Sequence, residues 1–140
     1  MLKTVEIIKR RSDEIAKTLT MEMGKTFRES KQEINQVIET ITWCAEEGKR
    51  TYGRIIPSRD GLARQMVIKE PIGPVAAFVA WNFPGGNVIR KVASTLAAGC
   101  SIIIKPSEET PGTGVAIGEC FMEAGLPPGV LNIVFGVPDN

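Results

Sequence analysis

The chain contains no histidine, so the side chain that most often serves as general base or neutral metal ligand near pH 7 is missing. Cysteine is scarce. Cys44, Cys100 and Cys120 are widely spaced and odd in number, with no CxxC pair, which speaks against structural zinc and against a secreted disulfide framework. Reduced intracellular thiols and no bound metal are expected. Neither sign of charge dominates: 17 basic against 16 acidic residues leave a net charge of +1, spread along the chain. Nucleic-acid and membrane-surface partners both want a basic excess and are not expected. No apolar run approaches the roughly 20 residues that span a bilayer. The N-terminal MLKTVEIIKRRSDEIAK lacks an apolar leader core, and its acids argue against a transit peptide. The expected setting is the cytoplasm.

What is present is divided unevenly. Residues 1–54 hold 20 of the 33 charges, no proline and three glycines; residues 71–140 hold eight charges, eight of nine prolines and ten of fourteen glycines. The first part reads as long amphipathic helices and the second as a compact α/β unit with tight turns. Three segments are expected: a helical segment over 1–53 packed on the α/β unit, a β-hairpin over 54–70 of the kind that serves as an oligomer ribbon, and a partial nucleotide-binding βαβαβ unit over 71–140.

Leu2, Val5, Ile8, Ile15, Leu19 and Met23 predict one helix that stops at Gly24. Thr26 and Glu29 fit a capping box opening a second helix, with Ile34, Ile38, Ile41 and Ala45 as its stripe and Gly53 at its end. Asp60-Gly61 marks a hairpin turn between strands Arg54–Ile56 and Arg64–Lys69, whose alternating charges leave one face wet. Beyond Pro74 the order is strand, helix, strand, helix, strand. Val75–Ala80 and Ser101–Ile104 read as strands covered on both faces, Val88–Ala98 as a helix, and Thr110 as N-cap before Pro111. The helix after Pro111 stops at Gly125, and Leu131–Phe135 is the third strand. Alternating β and α with short connections predicts a parallel, right-handed, doubly wound (Rossmann-like) sheet.

Ligands of such sheets bind beyond the carboxyl ends of the strands. Three stretches qualify: Trp81–Gly86, Lys105–Thr110 and the chain from Gly136 on. Gly85-Gly86 allows either a phosphate-binding turn or merely a tight entry to a helix. Lys105 and Glu108 offer a donor and an acceptor suited to vicinal ribose hydroxyls, or form a solvated loop whose acids favour the next helix dipole. Asn82 carries an uncharged amide with two N–H donors. Framed by Trp81, Phe83 and Pro84, it is either an Asx turn or a donor aimed at a developing oxyanion, worth roughly 10²–10³ in rate.

The blocks EPIGPVAAFVAWNFPGGNVIRK, CSIIIKPSEETP and GLPPGVLNIVFG, with EMGKTFRES upstream, closely resemble the NAD(P)-dependent aldehyde dehydrogenase superfamily over nearly the whole chain, and its succinate-semialdehyde branch in particular. The resemblance implies an NAD-dependent oxidation of an aldehyde to an acid, in which a cysteine thiolate attacks, hydride passes to NAD and a glutamate-activated water releases the product. In that scheme Asn82 and Lys91 are catalytic, Asn82 as the oxyanion-hole amide. Phe78, Val79, Trp81, Asn82, Lys105, Ser107, Glu108 and Gly136 belong to the cofactor site; Phe83, Asn87 and Arg90 line the substrate tunnel, with Arg90 gripping a distal carboxylate. NAD is expected over NADP, because a 2′-phosphate would face Glu108 at a cost of roughly 4 kcal/mol per charge pair at 4 Å and a dielectric near 20. A homo-oligomer and a small aldehyde are the expected partners.

Two departures matter. Ala80 stands where the family's usual proline precedes Trp-Asn. The family's nucleophilic cysteine, glutamate base and Gly-rich pyrophosphate loop would all lie past Asn140. The expectation is therefore a fragment of such an enzyme, inactive by itself; the alternative is a non-catalytic nucleotide-binding or assembly module from a truncated frame.

Overall fold

A computed structural model describes residues 1–136. The helical segment contains α1 (Leu2–Arg10), α2 (Ser12–Met23) and α3 (Phe27–Glu47). The spacing predicts one helix over Leu2 to Met23, but the axis bends at Arg11, where φ is −91° and ψ is 8°. Arg11 keeps a bond on either side of the bend, its N–H donating to Ile7 at 2.9 Å and its carbonyl accepting from Ile15 N–H at 3.0 Å. Here the Arg11 side chain reaches out to Glu119 on the last helix at 2.9 Å. α1 and α2 both lie against α3 and that last helix, burying Val5, Ile8, Ile15 and Leu19. Gly24 then stops α2 in the left-handed region at φ 80°, as its position predicts.

The capping box of α3 is present: Thr26 Oγ1 accepts from Glu29 N–H at 3.3 Å, and Glu29 Oε2 accepts from Thr26 N–H at 2.9 Å. Ile34, Val37 and Ile41 are fully buried, so the stripe runs along Val37 rather than Ile38. α3 ends at Glu47, not near Gly53. The chain tightens into a 3₁₀ turn over Gly48–Arg50, where a Cβ on Gly48 would lie 3.2 Å from the Ala97 carbonyl oxygen.

The hairpin pairs β1 (Arg54–Pro57) with β2 (Arg64–Val67) in antiparallel register, Arg54 opposite Val67. Gly61 takes φ 72°, and Asp60 Oδ1 accepts from Leu62 N–H at 3.0 Å. β2 stops two residues earlier than its sequence suggests. One wet face is expected, but both faces are exposed, Ile55 by 70% on one and Val67 by 40% on the other.

The α/β unit runs β3 (Val75–Phe78), α4 (Pro84–Ala97), β4 (Ile102–Lys105), α5 (Pro111–Glu123), β5 (Leu131–Ile133). Its sheet is parallel in the order β3-β4-β5, with Val75 opposite Ile102 and Ile102 opposite Leu131. The α/β, Rossmann-like expectation holds. The side chains of Ala77, Ile102 and Ile104 turn inward onto a core shared with α4, α5 and α3, each buried isoleucine contributing roughly 1.5–3 kcal/mol. Cover on both faces is not seen, because both crossover helices lie on one side. Phe78 is 77% exposed and Ile103 49% on the other.

Both crossover helices start differently from their sequence signals. α4 begins at Pro84 rather than Val88, so Gly85 and Gly86 are its first turn. α5 has Thr110 at the N-cap position and Pro111 at its first helical position, but the buried Thr110 Oγ1 makes no capping bond. In both helices a carboxylate from the helical segment caps the start instead: Glu33 at α4 and Glu22 at α5.

Candidate functional site

The turn after β3 is the polar centre of the strand ends. Trp81 and Phe83 stand half exposed on either side of Asn82. Asn82 Oδ1 accepts a hydrogen bond from Asn87 Nδ2 at 3.1 Å, and Asn87 also reaches the Ala80 carbonyl oxygen at 3.4 Å. Asn82 forms no Asx turn. Its amide oxygen is occupied, while Nδ2 has no acceptor among the described residues. An exposed turn thus presents two unspent donors.

Glu33 holds this turn from behind. It is only 3% exposed, and Oε1 accepts from Gly85 N–H at 2.8 Å and Gly86 N–H at 3.0 Å. Those donors are two of the orphan groups at the start of α4, where the helix dipole favours an anion. Lys25 neutralises the carboxylate through Oε2 and sits 4.4 Å from the Phe83 ring centroid. Neither Glu33 nor Lys25 is marked by motif reasoning. Helical periodicity carries the signal, since Ser30, Glu33, Ile34, Val37 and Ile41 share one face of α3 and all are buried. A carboxylate on such a face needs a buried partner. Glu22 makes the matching arrangement at α5, accepting from Thr113 N–H at 2.9 Å and Thr113 Oγ1 at 2.7 Å, and from Gly112 N–H. With both helix starts filled by carboxylates, neither is open to a phosphate.

An open cleft of about 390 Å³ lies beside Asn82, lined by Met23, Lys25, Glu29, Gln32, Glu33, Gln36, Trp81, Asn82 and Phe83. A larger one of about 590 Å³ between α5 and β5 is mostly apolar. Neither Asn82 nor Glu33 nor Glu22 lines it, so the smaller cleft is the relevant one.

The second polar group is at the end of β4. Lys105 Nζ donates to Glu108 Oε2 at 2.7 Å. That bond, with the Lys105 charge behind it, holds the Glu108 carboxyl below the 4.5 usual for glutamate. Lys105 is the register partner of Phe78, and Val79 N–H donates to the Lys105 carbonyl oxygen at 3.2 Å. An apolar wall and a donor–acceptor pair therefore stand on neighbouring strand ends of one sheet. Ser107 Oγ donates to Glu109 Oε2 at 2.9 Å.

The remaining candidates are dispersed. Arg90 and Lys91 are exposed on α4, and neither forms an ion pair among the described residues. Lys91 makes no hydrogen bond to the turn. Gly136 lies past β5 in irregular backbone. No thiol is near Asn82. Cys100 is buried at the amino end of β4, Cys120 is buried inside α5 beside Arg11, and Cys44 is on the last turn of α3. Burial raises the Cys44 and Cys120 thiols above their ordinary range, the reverse of activation. The described residues contain no group of three metal-ligating side chains and no helix long and apolar enough to cross a membrane.

Known proteins resemble this chain in sequence and fold. The sequence pattern of the aldehyde dehydrogenase family matches residues 1–140. A succinate semialdehyde dehydrogenase of Acinetobacter baylyi is 49% identical over 124 residues, which is 89% of this chain and 26% of that protein. An Escherichia coli succinate-semialdehyde dehydrogenase whose name specifies NADP(+) is 45% identical over the same shares. The crystal structure of succinate-semialdehyde dehydrogenase from Burkholderia pseudomallei superposes with a TM-score of 0.95 at 44% identity, covering 97% of this chain and 28% of that one. The chain thus spans about a quarter of the length of its relatives.

Proposed function

The chain belongs to the aldehyde dehydrogenase family, and on that premise we propose that it supplies the oxyanion donor and the ribose-binding edge of an NAD(P)-dependent oxidation of an ω-carboxylated aldehyde. One observation carries the reading: Asn82 presents unspent amide donors at the same sheet edge as the Lys105–Glu108 pair. Asn82 donates to the aldehyde oxygen as negative charge develops there. Lys105 and Glu108 hold the ribose hydroxyls of a nicotinamide dinucleotide, and Phe78, Val79 and Trp81 wall the cofactor side. Bound there, the dinucleotide supplies the hydride acceptor. A paired, ionised Glu108 beside an exposed apolar wall fits that ligand. Its pyrophosphate would find the N–H groups at the starts of α4 and α5 already occupied by Glu33 and Glu22.

Arg90, unpaired among the described residues and exposed, grips the distal carboxylate of the substrate, the group carried by the succinate semialdehyde for which two of the relatives are named. Arg90→Ala should raise KM for an ω-carboxylated aldehyde roughly 10–100-fold, the value of a charge-assisted hydrogen bond. An unchanged KM would remove Arg90 from the site. NAD is the favoured dinucleotide because Glu108 is ionised. Lys105 offsets part of the repulsion of a 2′-phosphate, so the preference is smaller than one bare charge pair. Glu108→Gln should raise kcat/KM with NADP relative to NAD; a fixed ratio would contradict this. We also read the exposed hairpin as a contact between copies, and the three free cysteines as suited to a reducing cytoplasm. The reading as a whole is tested by incubating a catalytically complete chain carrying this segment with succinate semialdehyde and either dinucleotide. Reduced nicotinamide should accumulate, and its absence with every ω-carboxylated aldehyde would sink the proposal.

A further inference from the structure

We propose that Asn87 is a positioning residue that fixes which end of the Asn82 amide faces the cleft, an inference that rests on reading Asn82 as the oxyanion donor. A primary amide has two ends of nearly equal size, one a double donor and the other an acceptor. Steric packing distinguishes them poorly; hydrogen bonding distinguishes them well. Asn82 is exposed, and the contact that sets its end is the 3.1 Å bond from Asn87 Nδ2 to Oδ1. The same Nδ2 reaches the Ala80 carbonyl oxygen at 3.4 Å, so both of its N–H groups are directed to acceptors on the turn. Turning Asn82 over would set N–H against N–H. The Asn87 backbone is itself fixed as the fourth residue of α4, its N–H donating to Phe83 at 2.7 Å, and α4 is anchored by Glu33. With both donors on the turn, only Asn87 Oδ1 is left for the substrate-lining role expected of this residue.

Three variants separate orientation from mere structure. Asn87→Asp keeps the shape and puts an anion in the first turn of α4, where the helix dipole favours it. It loses the bond to the Ala80 carbonyl, as Asn87→Ala does, so a residue that only supported the fold would leave the two variants with the same kcat. As an orienting residue it should invert Asn82, whose NH₂ turns to the new carboxylate. Asn87→Ala merely frees the amide, which then presents either end, for a loss of about two-fold to ten-fold in turnover. In a catalytically complete chain, Asn87→Asp should lower kcat towards the roughly 10²–10³-fold loss of Asn82→Ala, with KM little changed. Equal kcat for Asn87→Asp and Asn87→Ala, with Asn82→Ala impaired, would overturn the positioning role alone; an unimpaired Asn82→Ala would overturn the donor reading instead.

The 140-residue chain gives a readout independent of turnover. By NMR, with Asn82→Ala identifying its side-chain signals, the Asn82 NH₂ in Asn87→Asp should shift downfield and titrate with the introduced carboxyl. As a second handle, Asn82→Asp should make the Asn87 NH₂ signals titrate with the new acid. Signals that stay still in both variants would refute the contact.

Discussion

At the residue scale the structure replaces one isolated amide with a chain of dependence: Glu33 holds the start of α4, α4 holds Asn87, and Asn87 holds Asn82. The charge on Glu33 is compensated by two backbone donors and Lys25, so removing it strands Lys25, whose side chain is 11% exposed. Glu33→Ala should lower stability by about 3 kcal/mol or more, the cost of breaking a buried pair. Urea denaturation measures this, and a loss under about 1 kcal/mol would show that water replaces the carboxylate. Glu108 has the opposite setting, on the surface. Its folded-state pKa is depressed by Lys105, so the pair's contribution is in place above the ordinary glutamate value of 4.5 and fades as pH falls through the lowered one. An NMR titration of the Glu108 carboxyl should show that depression and its disappearance in Lys105→Ala; an unaltered titration curve would contradict the pairing. The sequence makes Asn82, Lys105 and Glu108 legible as chemistry because they follow apolar strands. Glu33 and Glu22 stay hidden because their partners are backbone groups 52 and 90 residues away.

At the element scale, local signals read correctly and distant ones do not. The capping box at Thr26 and the stop at Gly24 depend on neighbours in sequence, and both form as written. Thr26→Ala should cost about 1 kcal/mol in thermal or urea unfolding; no loss would mean that Glu29 caps the helix unaided. The bend at Arg11, the early start of α4 and the idle hydroxyl of Thr110 all reflect contacts between segments, which no local pattern encodes. Gly112 shows how tight such a contact is. A Cβ there would lie 2.8 Å from Glu22 Oε1 and 3.0 Å from Thr18 Cγ2, so an alanine would displace the cap of α5.

At the scale of the whole molecule, the order of strands and the α/β class follow from alternation, whereas the bare sheet face does not. Long apolar runs suggest strands covered on both sides, and here Phe78 and Ile103 face outward. The exposed hairpin adds Ile55 and Met66 to that apolar surface. Such area favours association. Light scattering should show mass rising with concentration, and Ile55→Lys with Met66→Lys should reduce it; a monomer at every concentration would contradict a contact role for the ribbon. With every described thiol buried or remote from Asn82, the 140-residue chain alone should form no reduced nicotinamide from aldehyde. The role of the amide itself is tested most directly by kcat of Asn82→Ala against the unmodified protein, in a catalytically complete chain carrying this segment. An oxyanion donor predicts a fall of roughly 10²–10³-fold with aldehyde KM little changed; an unaltered kcat would contradict it.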